Sequence, residues 1–154
     1  MNITYKNTIT ANETNAIRKS MGWRQHHPEQ AKANLDGNTL TIAAYDEDSA
    51  IAMVGLRWNG GSSAIMSILL NPKYQAQDIE KEFTTRIFNF LRSKLKPGFG
   101  IQVDVYVESD QKALYESLGF QPITLENRGI PMQICLTEQI ELTDKMFNQM
   151  DYKE

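Results

Sequence analysis

Apolar residues along the chain recur with two different periods, and each change of period marks where a strand or a helix begins. Alternating or nearly continuous apolar stretches predict strands at residues 3–6, 39–46, 50–58, 64–70, 101–107 and 132–136. Spacings of three and four predict helices at residues 10–23, 27–38, 79–95 and 110–120. The order of these elements predicts an α+β or mixed α/β sheet protein with helices on both faces.

The helix predicted at residues 79–95 has the clearest pattern. Its apolar side chains recur at steps of three and four: Ile79, Phe83, Ile87, Phe90, Leu91 and Leu95. The preceding strand, residues 64–70, is almost continuously apolar, which predicts a central strand covered on both faces. Residues 101–107 alternate strictly and are predicted to bury one face.

Residues that favour helix ends support these boundaries. Thr10 or Asn12 is suited to cap the first helix, Pro28 lies near the first turn of the second, and Gly37 follows its end. Gly119 stands where a glycine commonly ends a helix, and the apolar residue after it is expected to fold back on the last turn.

Length, composition and charge are those of an ordinary soluble protein. The 154 residues are 41% hydrophobic and 23% charged, with a net charge of -3 and no basic stripe, which argues against binding to nucleic acid. No apolar run approaches the roughly 20 residues of a membrane span, and the first residues do not resemble a signal peptide. Together with a single cysteine, these features predict a cytoplasmic protein. We expect one domain at residues 1–136 and a helical C-terminal extension at residues 137–154.

No metal site is predicted. His26 and His27 are adjacent, so their side chains cannot usually both turn to one ion, and no cluster of Cys, Asp or Glu accompanies them.

Three stretches resemble the GCN5-related N-acetyltransferases, in particular the small bacterial-type members. They are "AIAMVGLRWNGG", "ILLNPKYQAQDIEKEF" and "ALYESLGFQPI". The resemblance implies a central, mostly antiparallel twisted sheet of about six to seven strands, with a splay between the fourth and fifth strands. It also implies an acetyl-CoA-dependent transfer of an acetyl group to a primary amine of a small molecule or peptide. Members of this fold often pair, so a homodimer is compatible with the sequence.

The resemblance assigns residues to three roles. Tyr115 is the implied acid for the departing thiolate, and Ser67 stands where a catalytic base would be expected, so Glu108 or Asp104 is the substitute. Trp23, His26 and His27 border the implied acceptor pocket. The residues implied to bind the acyl donor lie on the fourth strand, the following turn and two helices: Ile68, Leu69, Leu70, Gln75, Ala76, Gln77, Asp78, Ile79, Glu80 and Tyr115.

Two acidic residues depart from the family's pattern in this turn. Asp78 and Glu80 occupy positions where the pattern has glycine or another small residue, because the backbone must approach the phosphates closely. A carboxylate ~4 Å from a phosphate charge costs about 4 kcal/mol at an effective dielectric of 20. Alternatively, Asp78 could cap the helix and occupy the anion site itself. The sequence therefore leaves two interpretations, a working acetyltransferase with an altered CoA site, and a catalytically silent binding or regulatory domain of the same fold.

Overall fold

The computed structural model describes residues 2–124, 126 and 129–138. Strands in this part of the chain are β1 (Ile3–Lys6), β2 (Leu40–Asp46), β3 (Ser49–Trp58), β4 (Ser63–Leu70) and β5 (Gln102–Val105). Helices are α1 (Ala11–Ser20), α2 (Pro28–Asp36), α3 (Ile79–Arg92) and α4 (Lys112–Ser117). Up to α4, the predicted order of elements is confirmed.

The five strands form one sheet in the order β1-β2-β3-β4-β5. The first three pairings are antiparallel, whereas β4 and β5 are parallel. A parallel pair needs a crossover connection, and α3 supplies it. The predicted mostly antiparallel sheet is therefore confirmed.

Alternate residues of the strands face two different clusters of apolar side chains. On one face, Ile42 of β2 belongs to the main core, in which Phe83 of α3 is fully buried. On the other face, Ala43 and Met53 belong to a smaller cluster, against which Leu35 of α2 packs. Helices thus cover both faces of the sheet, as predicted.

The strand that is buried on both faces is β3, since residues 51–56 are all buried. In β4, burial alternates instead. Ala64 and Met66 are buried, Ile65 is half-buried and Ser67 is exposed. The prediction that residues 64–70 are covered on both faces is therefore wrong, because only one face of β4 packs fully into the core.

The predicted pattern of α3 is confirmed over its first four turns. Ile79, Phe83 and Ile87 are completely buried and Leu91 nearly so, as expected for the apolar stripe of an amphipathic helix. The helix ends at Arg92, and Leu95 lies beyond it with 40% of its surface exposed.

The N-terminal ends of α1 and α2 follow the predicted capping chemistry. The Thr10 hydroxyl accepts a hydrogen bond from the Glu13 N–H at 3.1 Å, and the Glu13 carboxylate accepts one from the Thr10 N–H at 3.0 Å. This reciprocal pair is a capping box, so Thr10 rather than Asn12 is the cap. Pro28 is the first residue of α2 and Gly37 follows its last residue.

The sixth predicted strand is not a strand in the described part of the chain. Residues 132–136 carry no sheet hydrogen bonds, and Met132, Ile134 and Leu136 are 91%, 64% and 79% exposed. Alternation alone does not make a strand, because each strand needs a neighbour with which to form its hydrogen-bonded ladder. The described sheet therefore has five strands rather than the predicted six to seven.

The C-terminal extension predicted at residues 137–154 lies largely outside the described residues. Among the helices of the described part, none is both long and apolar enough to cross a membrane.

Candidate active site

The sheet opens between β4 and β5, as the resemblance implied. Parallel pairing runs from Ser63 opposite Gln102 to Met66 opposite Val105 and stops there. Residues 67–70 of β4 continue to pair with β3 on their other side. The predicted donor-binding residues Ile68, Leu69 and Leu70 therefore lie on the part of β4 that β5 has left.

The loop that follows, residues 71–78 and called here the β4–α3 loop, is tied to the sheet at two points. The Asn71 N–H donates to the Ile51 carbonyl at 2.8 Å, and the Tyr74 hydroxyl donates to Asp46 Oδ2 at 2.8 Å. Asn71 also accepts a hydrogen bond from the Lys73 N–H at 3.1 Å and so begins a 3₁₀ turn. These bonds hold the loop at the end of β4, where it leads directly into α3.

Asp78 has the backbone conformation that the family's pattern assigns to glycine. Its φ of 55° and ψ of 25° lie in the left-handed region, which glycine adopts at no steric cost and other residues rarely adopt. Within the described residues, its side chain makes no capping hydrogen bond to α3, and it is exposed. The prediction that the Asp78 side chain caps the helix is therefore wrong, because its carboxylate accepts no hydrogen bond from the amides of the first turn.

Glu80 takes the position that had been expected for Asp78. Its side chain is only 5% exposed, and its carboxylate accepts a hydrogen bond from its own backbone N–H in the first turn of α3. The N–H groups of a first helical turn have no intrahelical acceptor, and they form a natural anion site. The hydrogen bonds between successive turns of α3 begin at Glu82, whose N–H donates to the Asp78 carbonyl at 3.1 Å. A buried carboxylate thus lies in the first turn of α3, where backbone amides favour a negative charge.

Burial raises the pKa of the Glu80 carboxyl. The hydrogen bond from its own amide lowers that pKa, and the negative charge of Asp78 raises it further. The remaining predicted loop residues, Gln75, Ala76 and Gln77, are exposed, whereas Ile79 is completely buried.

Tyr115 is held at the end of α4 by the motif that the sequence predicted. Gly119, with φ of 102°, donates its N–H to the Glu116 carbonyl, and the Phe120 N–H donates to the Tyr115 carbonyl at 3.1 Å. This pair of bonds is a Schellman motif. The ring of Phe120 packs edge-on against that of Tyr115, with centroids 5.8 Å apart.

Tyr115 is 6% exposed. Burial raises the pKa of its hydroxyl well above the usual value, and the nearby charge of Glu80 raises it further. The phenol therefore stays protonated at neutral pH and can act as a hydrogen-bond donor or an acid. This electrostatic influence links two of the predicted site residues, one from α3 and one from α4.

Glu108 does not lie at the end of a strand as predicted, because β5 already ends at Val105. It is exposed and directly precedes the 3₁₀ turn Ser109–Gln111. Asp104 lies within β5, half-buried and opposite Ile65 of β4.

The predicted acceptor residues lie between α1 and α2. The His26 backbone exchanges two hydrogen bonds with the Asn15 side chain, at 2.9 and 3.0 Å. His27 accepts from the Glu29 N–H and caps α2. Burial and the positive charges of Arg18 and Arg24 lower the pKa of His26.

Trp23 of the same segment packs beneath the Arg18 guanidinium, at 5.4 Å from the ring centroid. The segment is thus held against α1 and α2.

A groove of about 780 Å³ opens between β5, α4 and the C-terminal half of α3. Tyr115 and Val105 line it, together with Phe88, Leu91 and Ile123, but no residue of the β4–α3 loop does. The groove is therefore separate from the anion position at the start of α3. In the described ranges, no group of three or more His, Cys, Asp or Glu side chains is arranged to hold a metal ion.

Sequence reasoning missed the residues that anchor the loop. Asp46 is 28 positions before Tyr74 and has no motif of its own. A Tyr in the turn was visible, but its partner on β2 could not be identified without the fold.

No family model and no curated protein matches the chain. Solved structures do. A protein of meticillin-resistant Staphylococcus aureus named as a probable acetyltransferase is 20% identical, with a TM-score of 0.75 over 86% of this chain and 100% of its own. A GNAT-family acetyltransferase of Streptococcus pneumoniae is 19% identical, with a TM-score of 0.65 over 90% and 98%.

A third match is an aminoglycoside N-acetyltransferase in complex with CoA. It is 14% identical, with a TM-score of 0.56 over 90% of this chain and 94% of its own. The three alignments cover 86–90% of this chain. The sheet with its splay, the crossover through α3 and these matches show that the chain has the fold of the GCN5-related N-acetyltransferases.

Proposed function

We propose that the protein is an N-acetyltransferase that moves the acetyl group of acetyl-CoA to a primary amine of a small molecule or peptide. The observation that carries this proposal is the splay after Met66 and Val105, which opens directly beside the β4–α3 loop. A splayed strand offers unpaired backbone groups to an extended ligand, and the helix that follows offers amides to its phosphates. The fold shared with acetyltransferases supports the same activity.

The residues of the site fit an acyl-CoA donor in most respects. The left-handed backbone at Asp78 reproduces the turn that brings the amides of α3 forward. The exposed carboxylate of Asp78 can turn away from a phosphate, whereas the buried carboxylate of Glu80 cannot do so without moving. Acetyl-CoA supplies an activated thioester, and residues 68–70 and 75–80 would hold its arm and pyrophosphate.

Tyr115 is the proposed acid. As the amine nitrogen bonds to the acetyl carbon, the carbon–sulfur bond breaks, and the Tyr115 hydroxyl gives its proton to the departing thiolate. The raised pKa of Tyr115 keeps the hydroxyl protonated for this step. The proton lost by the amine passes to Glu108 or to a water, and a proton returns to the tyrosinate from solvent.

The acceptor is proposed to approach past Trp23, His26 and His27. Burial and two arginines lower the pKa of His26, so its imidazole is neutral at pH 7. Its Nδ1 lies 3.3 Å from the side-chain nitrogen of Asn34. This part of the proposal rests on the family's resemblance, and an alanine substitution of each residue tests it through the KM of the acceptor.

Thermal shift with CoA and acetyl-CoA up to millimolar concentration tests donor binding. A ligand that binds only the folded state stabilises it by about 2.7 kcal/mol at a hundred times its dissociation constant, so the melting temperature should rise with concentration. A panel of amines with detection of released thiol then tests transfer. No shift at any concentration, together with no thiol release, would overturn the proposal and leave the silent-domain interpretation.

A further inference from the structure

Glu80 is a carboxylate buried in the first turn of α3, at the position where the proposed function requires a phosphate. It is only 5% exposed, and it lies in the first turn of α3, where its own backbone N–H stabilises the carboxylate. An isolated buried charge is costly unless it is paired or hydrogen-bonded. The amides and dipole of α3 are the groups that offset this cost here.

The charged and titratable groups that act on Glu80 come from two elements. Asp78, at the start of α3, is negative, and Tyr115, on α4, is a neutral phenol that feels the charge of Glu80. Arg86, further along the same helix, is bound to Glu82 at 2.8 Å. Within the described residues, Glu80 forms no salt bridge. The carboxylate is therefore held by the helix terminus rather than by a positive side chain.

We propose that Glu80 acts as an internal anion that occupies the pyrophosphate position in the free protein, and that CoA binds together with one proton that neutralises Glu80. This inference rests on the proposed function. In this proposal the charge of Glu80 sets the affinity for CoA and makes that affinity depend on pH. A glycine or alanine at this position has no charge and could not do so.

The direction of the pH effect follows from proton linkage. The pKa of Glu80, already raised in the free protein by burial, rises further beside a bound pyrophosphate, because a second negative charge disfavours the carboxylate. Affinity is then greatest below the free-state pKa and falls by up to about tenfold per pH unit between the free-state and the bound-state pKa. Above the bound-state pKa, affinity is low and constant.

Titration calorimetry with CoA from pH 5 to pH 8, in buffers of different ionisation enthalpy, measures affinity and proton uptake together. The variants are Glu80→Gln, which removes the charge at nearly constant shape, and Glu82→Gln. The second removes the same charge from the same helical turn, but from a side chain that is 43% exposed and paired with Arg86. The 3′-phosphate of CoA titrates at about pH 6 in every case, so the difference between the proteins isolates Glu80.

At pH 7.5 we expect Glu80→Gln to bind CoA about 30-fold more tightly than the wild type. The repulsion between two unit charges ~4 Å apart is about 4 kcal/mol at an effective dielectric of 20. We take half of this repulsion, which corresponds to about 30-fold in affinity, because the carboxylate can partly turn away from the phosphate. Glu82→Gln should change affinity less than about threefold, because an exposed charge is screened. The wild type should take up more protons on binding than Glu80→Gln.

The outcomes separate the two proposals. If the wild type binds CoA but Glu80→Gln binds no more tightly and takes up as many protons, the role of Glu80 is refuted and the proposed function stands. If wild type and variants all fail to bind CoA at any pH, both are refuted. The proton uptake of the wild type needs no variant, so a failure of Glu80→Gln to fold would still leave the proposal open to refutation.

Discussion

Asp78 allows a direct test of the loop conformation. Its φ of 55° lies in the left-handed region, where an L-residue with a Cβ costs about 1–2 kcal/mol. Glycine removes this cost but gives the unfolded chain extra conformational entropy worth about 0.4–1 kcal/mol. We therefore expect Asp78→Gly to be more stable than Asp78→Ala by about 0.5–1 kcal/mol. Both variants remove the same carboxylate, so the effect of its charge on the helix dipole cancels in this comparison.

The assay is urea unfolding of both variants, with a matched pair elsewhere on the same helix as control. Asn89 is exposed within α3, and there Asn89→Ala should be more stable than Asn89→Gly by about 1 kcal/mol. The glycine variant should therefore be the more stable of the two at residue 78, and the alanine variant should be the more stable at residue 89. In a chain of this length, 1 kcal/mol corresponds to a shift in melting temperature of about 2–4 °C.

One result would refute the reasoning. If Asp78→Ala is as stable as Asp78→Gly while the Asn89 pair behaves as expected, residue 78 does not adopt the left-handed conformation in solution. The β4–α3 loop would then not present the amides of α3 as a phosphate site requires, and the structural basis for donor binding would be lost.

Further substitutions test the acid and the packing around the site. Tyr115→Phe should lower kcat for acetyl transfer by about 10²-fold or more with little change in CoA affinity. The pKa of Tyr115 in the wild type is raised above the usual tyrosine value of about 10. Loss of the Tyr115 proton should therefore not lower the wild-type kcat below about pH 10. Thr84 is buried and its hydroxyl has no hydrogen-bond partner among the described residues, so Thr84→Val should raise the free energy of unfolding by about 1 kcal/mol in urea titration. Gly119→Ala, at φ of 102°, should lower the melting temperature by several degrees, and an unchanged value would show that the Schellman turn is not formed.

Features that depend on neighbouring residues were predicted correctly from the sequence. The apolar stripe of α3 needs only its own spacing, and the end of α4 needs only Gly119 and the residue after it. The first helix was predicted to be capped by Thr10 or Asn12, and Thr10 is the cap, held in hydrogen bonds with Glu13 only three residues away. The splay came from the family resemblance rather than from any local pattern, and the register of β4 and β5 confirms it.

Features that depend on distant residues were missed or predicted wrongly. The bond between Tyr74 and Asp46 spans 28 positions, and no periodicity links its two ends. Residues 132–136 alternate as a strand does, but pairing is decided by a partner that the segment itself does not encode. The burial of β3 rather than β4 was equally hidden, because both strands are apolar and only the side chains packed on each face of the sheet distinguish them.

The two acidic replacements in the β4–α3 loop have different physical consequences, although the sequence made them look alike. Asp78 keeps the glycine-type backbone and exposes its charge, so it costs conformational energy but leaves the anion position accessible. Glu80 keeps an ordinary helical backbone and buries its charge, so it costs little conformational energy but fills that position. A charge effect on CoA binding should therefore be found at Glu80, and a backbone effect on stability should be found at Asp78. Measuring both quantities for both residues separates an altered donor site from a lost one, because only an altered site would regain affinity when the buried charge alone is removed.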